Sequence, residues 1–336
     1  MSRSGARAPG RVNLIGDHTD YTGGLVLPMA IDRETIVEGD ATDEPVVRLR
    51  SAEFADEAVI PLEIDDPSLV NPGWARYVAG VVRELRPRHG FTGTVRSTVP
   101  VGAGLSSSAA LEVATALALG APSNPIPLAR LCQRAEQIAS GVPCGIMDQL
   151  TAVAGVAGHA LLIDCDSLTI EPVAVPATCE IVVVHSGSPR GLVDSAYRER
   201  VRECEQAERI IGPLRLATVG ATRSITDRVL RARAHHVITE NERVREFAAA
   251  LGAGDLATAG ALMMASHASL RDDYAVSTAA LDSIVARLGA MPGVYGARLT
   301  GAGFGGCVVA LTASGARTEG WVVRASAGAS RWERTR

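Results

Sequence analysis

The sequence predicts a mixed α/β protein of the α+β kind, built as two domains, on three observations. The chain has 336 residues, a length that suggests roughly two domains. Strand-like runs VVRLRS at 46–51 and TVRSTV at 94–99 give way, from Ser108 onward, to sequence of helical composition. Strand signal then restarts at 180 with EIVVVHS, and long helical stretches follow it. The boundary is expected near 165–180, which divides the chain into residues 1–170 and 171–336.

The elements follow in order. Residues 108–119, SAALEVATALAL, are rich in strong helix formers. Residues 127–140 carry an apolar stripe of Leu128, Leu131, Cys132, Ala135, Ile138 and Ala139, with Pro127 in the first turn and Gly141 past the end. A third helix starts near Gly145, and HALLIDC at 159–165 reads as a buried strand. Helices are expected at about 194–211, 226–250, 254–267 and 277–290. VYGARLT at 294–300 and CVVALT at 307–312 form a final strand pair around a glycine-rich turn. Residues from about 328 are expected to fray.

Composition narrows the function. The chain is 47% hydrophobic and 21% charged, as ordinary globular proteins are. Net charge is −4 with no block of like charges, so a nucleic-acid partner is not expected. An anionic substrate would need positive potential concentrated locally. The six cysteines form no CxxC pair and no zinc-ligand spacing, which suits a reducing cytoplasm. No run of 18 apolar residues is present, so no membrane partner is expected. No exposed heptad argues for association, so a monomer is the expectation.

The densest chemistry lies in RVNLIGDHTDY at 11–21. Taken as extended, this segment puts Asp17, Thr19 and Tyr21 on one side and His18 and Asp20 on the other. Buried polar groups without partners are costly, and a polyhydroxylated ligand such as a sugar would satisfy Asp17, His18, Thr19 and Asp20. A polar surface loop is the alternative. Residues 100–110, PVGAGLSSSAA, run straight into a helix. Gly102 and Gly104 permit close backbone approach, and Ser106, Ser107 and Ser108 add hydroxyls. With the free N–H groups of a helix start, the loop Gly102, Ala103, Gly104, Leu105, Ser106, Ser107 and Ser108 makes an anion site of the kind that holds a nucleotide's phosphates. It is not a GxxxxGK[ST] loop, because no Lys follows the glycines. Simple helix capping needs only one Ser.

GVPCGIMDQ at 141–149 places Asp148 in a first helical turn, where a negative charge is favoured whether or not it is catalytic. TGAGFGGC at 300–307 implies a tight turn, for which a simple hairpin suffices.

These motifs, in this order, resemble the galactokinase family of the GHMP kinase superfamily. GWARYVAG at 73–80, SAYRERVRECEQA at 195–207 and SHASLRDDYAVS at 266–277 extend the likeness. The resemblance implies an N-terminal α/β domain binding sugar and ATP, a C-terminal GHMP kinase domain with a ferredoxin-like arrangement, and an active site between them. It implies transfer of a phosphoryl group from ATP to the anomeric hydroxyl of galactose. Asp148 is then the candidate base and Arg11 its partner, also stabilising charge on the phosphoryl group. Asp17, His18, Thr19, Asp20, Gly145 and Tyr197 would meet the sugar, with Gly145 allowing the backbone to approach it. Ser108 and Glu136 would hold Mg²⁺, with Ser107 as the alternative hydroxyl. Trp74 and Tyr77 would lie near adenine, and Arg190 would add charge near the sugar. Asp17 stands where many galactokinases have Glu, which keeps open another sugar: arabinose, a uronic acid or N-acetylgalactosamine. A non-catalytic galactose and ATP sensor is the remaining alternative. The whole reading requires the Asp148 carboxylate to face the Arg11 guanidinium in a pocket rimmed by the serine-bearing turn.

Overall fold

A computed structural model of the protein describes residues 3–187 and 193–334. Arg190 lies outside the described residues.

The chain opens with β1 (Arg3–Asn13), β2 (Leu25–Val26) and β3 (Pro28–Thr42). β3 is buried on both faces over 28–31 and then alternates, as a strand does on leaving a two-sided core for a one-sided sheet. β4 (Val46–Ser51) and β5 (Ala58–Pro61) follow, then α1 (Ala75–Leu85), β6 (Gly90–Ser97) and α2 (Ser107–Ala118). α2 is buried from Ala109 to Ala118, which accounts for an Ala/Leu run with no polar face. α3 (Pro125–Ser140) stops at Gly141, whose φ of 69° only glycine adopts freely. α4 (Met147–Ala154), β7 (His159–Asp164) and β8 (Ile170–Ala174) complete the first half.

β9 (Cys179–His185) leads into α5 (Val193–Ile211), α6 (Arg228–Ala253), α7 (Leu256–Asp272) and α8 (Ala279–Gly289). Asp227, Asp255 and Thr278 cap α6, α7 and α8 by accepting backbone N–H groups. β10 (Val294–Thr300), β11 (Cys307–Ala313), β12 (Trp321–Val323) and β13 (Ser330–Arg334) end the chain.

Among the described residues three sheets result, with orders β13-β1-β3-β6-β4-β5, β10-β11-β9-β12 and β2-β7-β8. In the second sheet β9 and β12 lie side by side, as a ferredoxin-like arrangement requires, although a loop at 314–320 connects β11 to β12 where a helix would be expected. One core cluster joins the halves: Leu14, Ile15, Leu27 and Met29 meet Ile181, Val183, Phe247, Leu251, Val309 and Leu311.

Two local expectations are corrected. Ser330–Arg334 do not fray, because β13 pairs with β1 and Trp332 covers Gly5, where a Cβ would lie 2.5 Å from the indole. Residues 14–19 are not extended either. Gly16 and His18 have φ of 92° and 66°, and Asp20–Thr22 form a 3-10 turn, so the two-sided alternation is lost.

Candidate active site

Gly10 allows the serine-bearing loop to lie directly on β1. A Cβ there would sit 2.6 Å from the Leu105 carbonyl oxygen, which instead accepts the Arg11 backbone N–H at 3.1 Å. Gly102, Gly104 and Ser106, all left-handed, coil the loop into the start of α2. Arg11 Nη1 donates to the Gly104 carbonyl. Its Nε and Nη2 donate to Asp148 Oδ1 and Oδ2 at 2.8 and 2.7 Å, a bidentate fork that fixes the carboxylate plane. Ser106 Oγ donates to Asp148 Oδ2 at 2.5 Å. The apposition that the sequence required is present.

A second acid lies behind the first. Glu136 Oε1 on α3 accepts Ser108 Oγ at 2.8 Å, and Gln149 Nε2 donates to Glu136 Oε2. Burial, then the charge of Asp148, push the Glu136 carboxyl up to about 7. Gln149 Nε2 also reaches Glu112 Oε2 at 3.3 Å. Glu112 is wholly buried, and burial followed by the Glu136 charge raises it well above the usual carboxylate range. Among the described residues no group of three or more His, Cys, Asp or Glu is placed to hold a metal ion.

On the other side, Asp20 faces the Cα of Gly145: a Cβ at 145 would lie 1.9 Å from Asp20 Oδ2. The backbone approach expected toward a sugar is therefore an approach to this carboxylate. Burial, then Asp148, push Asp20 up to about 7. Asp17 is pinned on both oxygens, by the Gly301 N–H at 3.0 Å on Oδ1 and by an ion pair with buried Arg298 at 2.8 Å on Oδ2. His18 has Nδ1 3.0 Å from Tyr21 Oη and Nε2 3.2 Å from the Ala302 carbonyl. Tyr197 on α5 brings its ring centroid to 5.6 Å from that of His18.

These groups line one cavity of about 430 Å³, within the range of small-molecule sites. It collects Arg11, Asp17, His18, Asp20, Gly102, Gly104, Ser106, Ser107, Ser108, Glu136, Gly145, Asp148 and Tyr197, with Trp74 and Tyr77. The glycine turn is a hairpin between β10 and β11 that also supplies Gly301 and Ala302 to the wall. Three expected residues stand apart. Thr19 is fully buried, and its hydroxyl donates to the Gly16 and Leu25 carbonyls, so it braces the turn and does not face the cavity. Ala103 and Leu105 direct their side chains into the core. Sequence reasoning missed Glu112, Arg298, Tyr274 and Phe54, the last of which stacks on Trp74 at 6.3 Å at the cavity edge. Glu112 and Arg298 did leave a signal: each is a lone charge in an otherwise apolar helix or strand.

Comparison with known proteins gives the class first. Family models for the GHMP kinases N terminal domain and the GHMP kinases C terminal match residues 76–156 and 247–319. The protein is a GHMP kinase in fold. Within that class, the galactokinase galactose-binding signature matches residues 2–40. The chain is 47% identical to the galactokinase of Roseiflexus sp. (strain RS-1), over 91% of its length and 82% of that relative's. It is 45% identical to the galactokinase of Homo sapiens, over 90% and 82%. The chain belongs to the galactokinase family. The crystal structure of Lactococcus lactis galactokinase complexed with galactose superposes with a TM-score of 0.88 at 32% identity, covering 98% of this chain and 95% of that one. A mevalonate kinase structure, at 21% identity and a TM-score of 0.66, shares the fold.

Proposed function

We propose that this protein transfers the γ-phosphoryl group of ATP to the anomeric hydroxyl of D-galactose, giving galactose 1-phosphate and ADP. The single observation that carries the reading is the Arg11–Asp148–Ser106 cluster, set where the serine-bearing loop enters α2. The backbone N–H groups of that loop and the N-terminus of α2 suit the ATP phosphates. Three donors already occupy the Asp148 oxygens, so the direction left for a sugar hydroxyl is fixed. Asp148 orients that hydroxyl and accepts its proton as the new O–P bond forms. Arg11, held to Asp148 and to the loop carbonyl, stabilises charge on the transferred group. Positioning of this kind supplies most of the catalysis in phosphoryl transfer. Asp20, His18 and Tyr197 contact the sugar.

Glu136 and Ser108 fit Mg²⁺. Together they offer one carboxylate and one hydroxyl toward the cavity, and Mg²⁺ takes few protein ligands. Glu136 is half-buried beside Asp148, whose charge raises its carboxyl, an arrangement that a cation relieves. When bound, the ion would neutralise charge on the β- and γ-phosphates. Ser107 also lines the cavity and stands as the alternative hydroxyl.

One observation favours a second reading, a kinase for a different sugar: both Asp17 oxygens are engaged within the protein. A coupled assay of ADP release over galactose, arabinose, galacturonic acid and N-acetylgalactosamine tests both. Galactose is expected to give the highest kcat/KM. A higher value for another sugar replaces the reading, and binding of sugar and ATP without ADP release leaves a sensor. The protein is further proposed to be a cytoplasmic monomer, divided near residue 170; sizing chromatography checks the oligomeric state. No described helix is long and apolar enough to cross a membrane.

A further inference from the structure

Behind His18 runs a chain of hydroxyl and thiol groups that the reaction itself does not use. Tyr21 Oη lies 3.0 Å from His18 Nδ1, Tyr274 Oη 2.5 Å from Tyr21 Oη, and Cys204 Sγ 3.0 Å from Tyr274 Oη. The chain joins the turn at 20–22 to the loop after α7 and to the buried face of α5.

Its direction is determined. The Ala302 carbonyl 3.2 Å from Nε2 can only accept, so Nε2 carries the proton. A neutral imidazole has one N–H, so Nδ1 must accept, and its donor is the Tyr21 hydroxyl. That hydroxyl has no second proton, so its oxygen accepts from Tyr274, and the Tyr274 oxygen accepts from the Cys204 thiol. Burial, then His236, push the His18 imidazole down to about 3, which keeps it neutral. Burial of Tyr21 and Tyr274 likewise holds both phenols protonated. Tyr274 and Cys204 are almost wholly enclosed, so water does not compete along the chain. Arg233 lies over the Tyr274 ring at 5.8 Å, where a cation strengthens the phenol as a donor.

We propose that Tyr21 is a positioning residue that, held by Tyr274 on the Nδ1 side while the Ala302 carbonyl acts on the Nε2 side, locks His18 in the Nε2–H tautomer, so that His18 offers the sugar pocket a hydrogen-bond donor and no acceptor. This rests on the reading above that His18 faces the sugar. It deepens that reading, because the substrate must present an oxygen lone pair to Nε2, taking over from the Ala302 carbonyl. A ligand that presents only a donor there is rejected.

The test is the ¹⁵N spectrum of the His18 ring in sugar-free protein, compared between wild type, Tyr21→Phe and Tyr274→Phe. Wild type is expected to show a protonated Nε2 and an unprotonated Nδ1. In Tyr21→Phe the two signals should move toward each other as tautomers mix. Tyr274→Phe should move them the same way by less, and it serves as the readout if Tyr21→Phe does not fold. The galactose KM should rise about tenfold in Tyr21→Phe, the scale of one lost hydrogen bond, with kcat and the ATP KM within about twofold of wild type. Unchanged ring signals in both variants overturn the proposal, as does a protonated Nδ1 in wild type. Shifted signals with an unchanged sugar KM overturn it too. Failure of the proposed function reads differently: wild type itself would release no ADP with galactose, whatever the ring spectrum shows.

Discussion

The Asp20 carboxylate fills the space that a side chain at position 145 would need. A Cβ on Gly145 would stand 1.9 Å from Asp20 Oδ2 and 2.2 Å from its Cγ. Both residues line the cavity, and Asp148 follows Gly145 by three positions. The glycine thus lets the Asp20 carboxylate lie against the backbone three positions before Asp148.

Gly145→Ala should therefore displace Asp20. Overpacking of this kind costs about 1–3 kcal/mol, which corresponds to a sugar KM raised by roughly 5- to 150-fold. The ATP KM should hold, because the three atoms nearest a Cβ at 145 all belong to Asp20. Steady-state kinetics with each substrate varied in turn check this, and an unchanged sugar KM removes Asp20 from the sugar site.

Asp148→Asn keeps the shape of the side chain but places an amide where Arg11 and Ser106 now donate. Turnover should fall by about 10²- to 10⁴-fold. Sugar affinity by calorimetry should change little. A variant turning over near the wild-type rate would refute the role given to Asp148.

Glu136→Gln removes the charge facing Ser108. The Mg²⁺ concentration for half-maximal rate should rise about 10- to 100-fold at saturating ATP. Superimposable Mg²⁺ titrations for variant and wild type would take Glu136 out of the metal shell.

Asp20 gives a pH signature. Its carboxyl is raised to about 7, first by burial and then by Asp148, against an unfolded value near 4. The folded state then binds the extra proton between those values. Stability from this group is full below about pH 4 and lost as pH rises through about 7. Asp20→Asn removes that loss. Thermal melts without sugar should show the variant more stable than wild type at pH 8, with the difference shrinking toward pH 4. A difference independent of pH would contradict the assignment.

Much of the fold was legible because hydrophobic period survives in the sequence. The Ala/Leu run became α2, the 127–140 stripe became α3, and EIVVVHS, VYGARLT and CVVALT became β9, β10 and β11. Partners far apart in the chain were not legible. Ser330–Arg334 resembles a frayed end until Gly5 offers a flat seat to Trp332. Thr19 looks like a sugar ligand until its hydroxyl is seen bracing the turn around Gly16. The charge of Arg298 has meaning only once Asp17, 281 positions earlier by numbering, closes on it at 2.8 Å.

The sequence by itself determined the order of the motifs, the glycines that let loops turn and the acids available for chemistry, because these follow from local backbone freedom and residue type. The tertiary structure alone decided which of those acids face each other and which are spent on the scaffold. Arg11 and Asp148 meet across 137 residues, while Asp17 is drawn back onto Arg298. Contacts of that reach depend on how two sheets and their helices close around a shared core, and no local pattern encodes that closure.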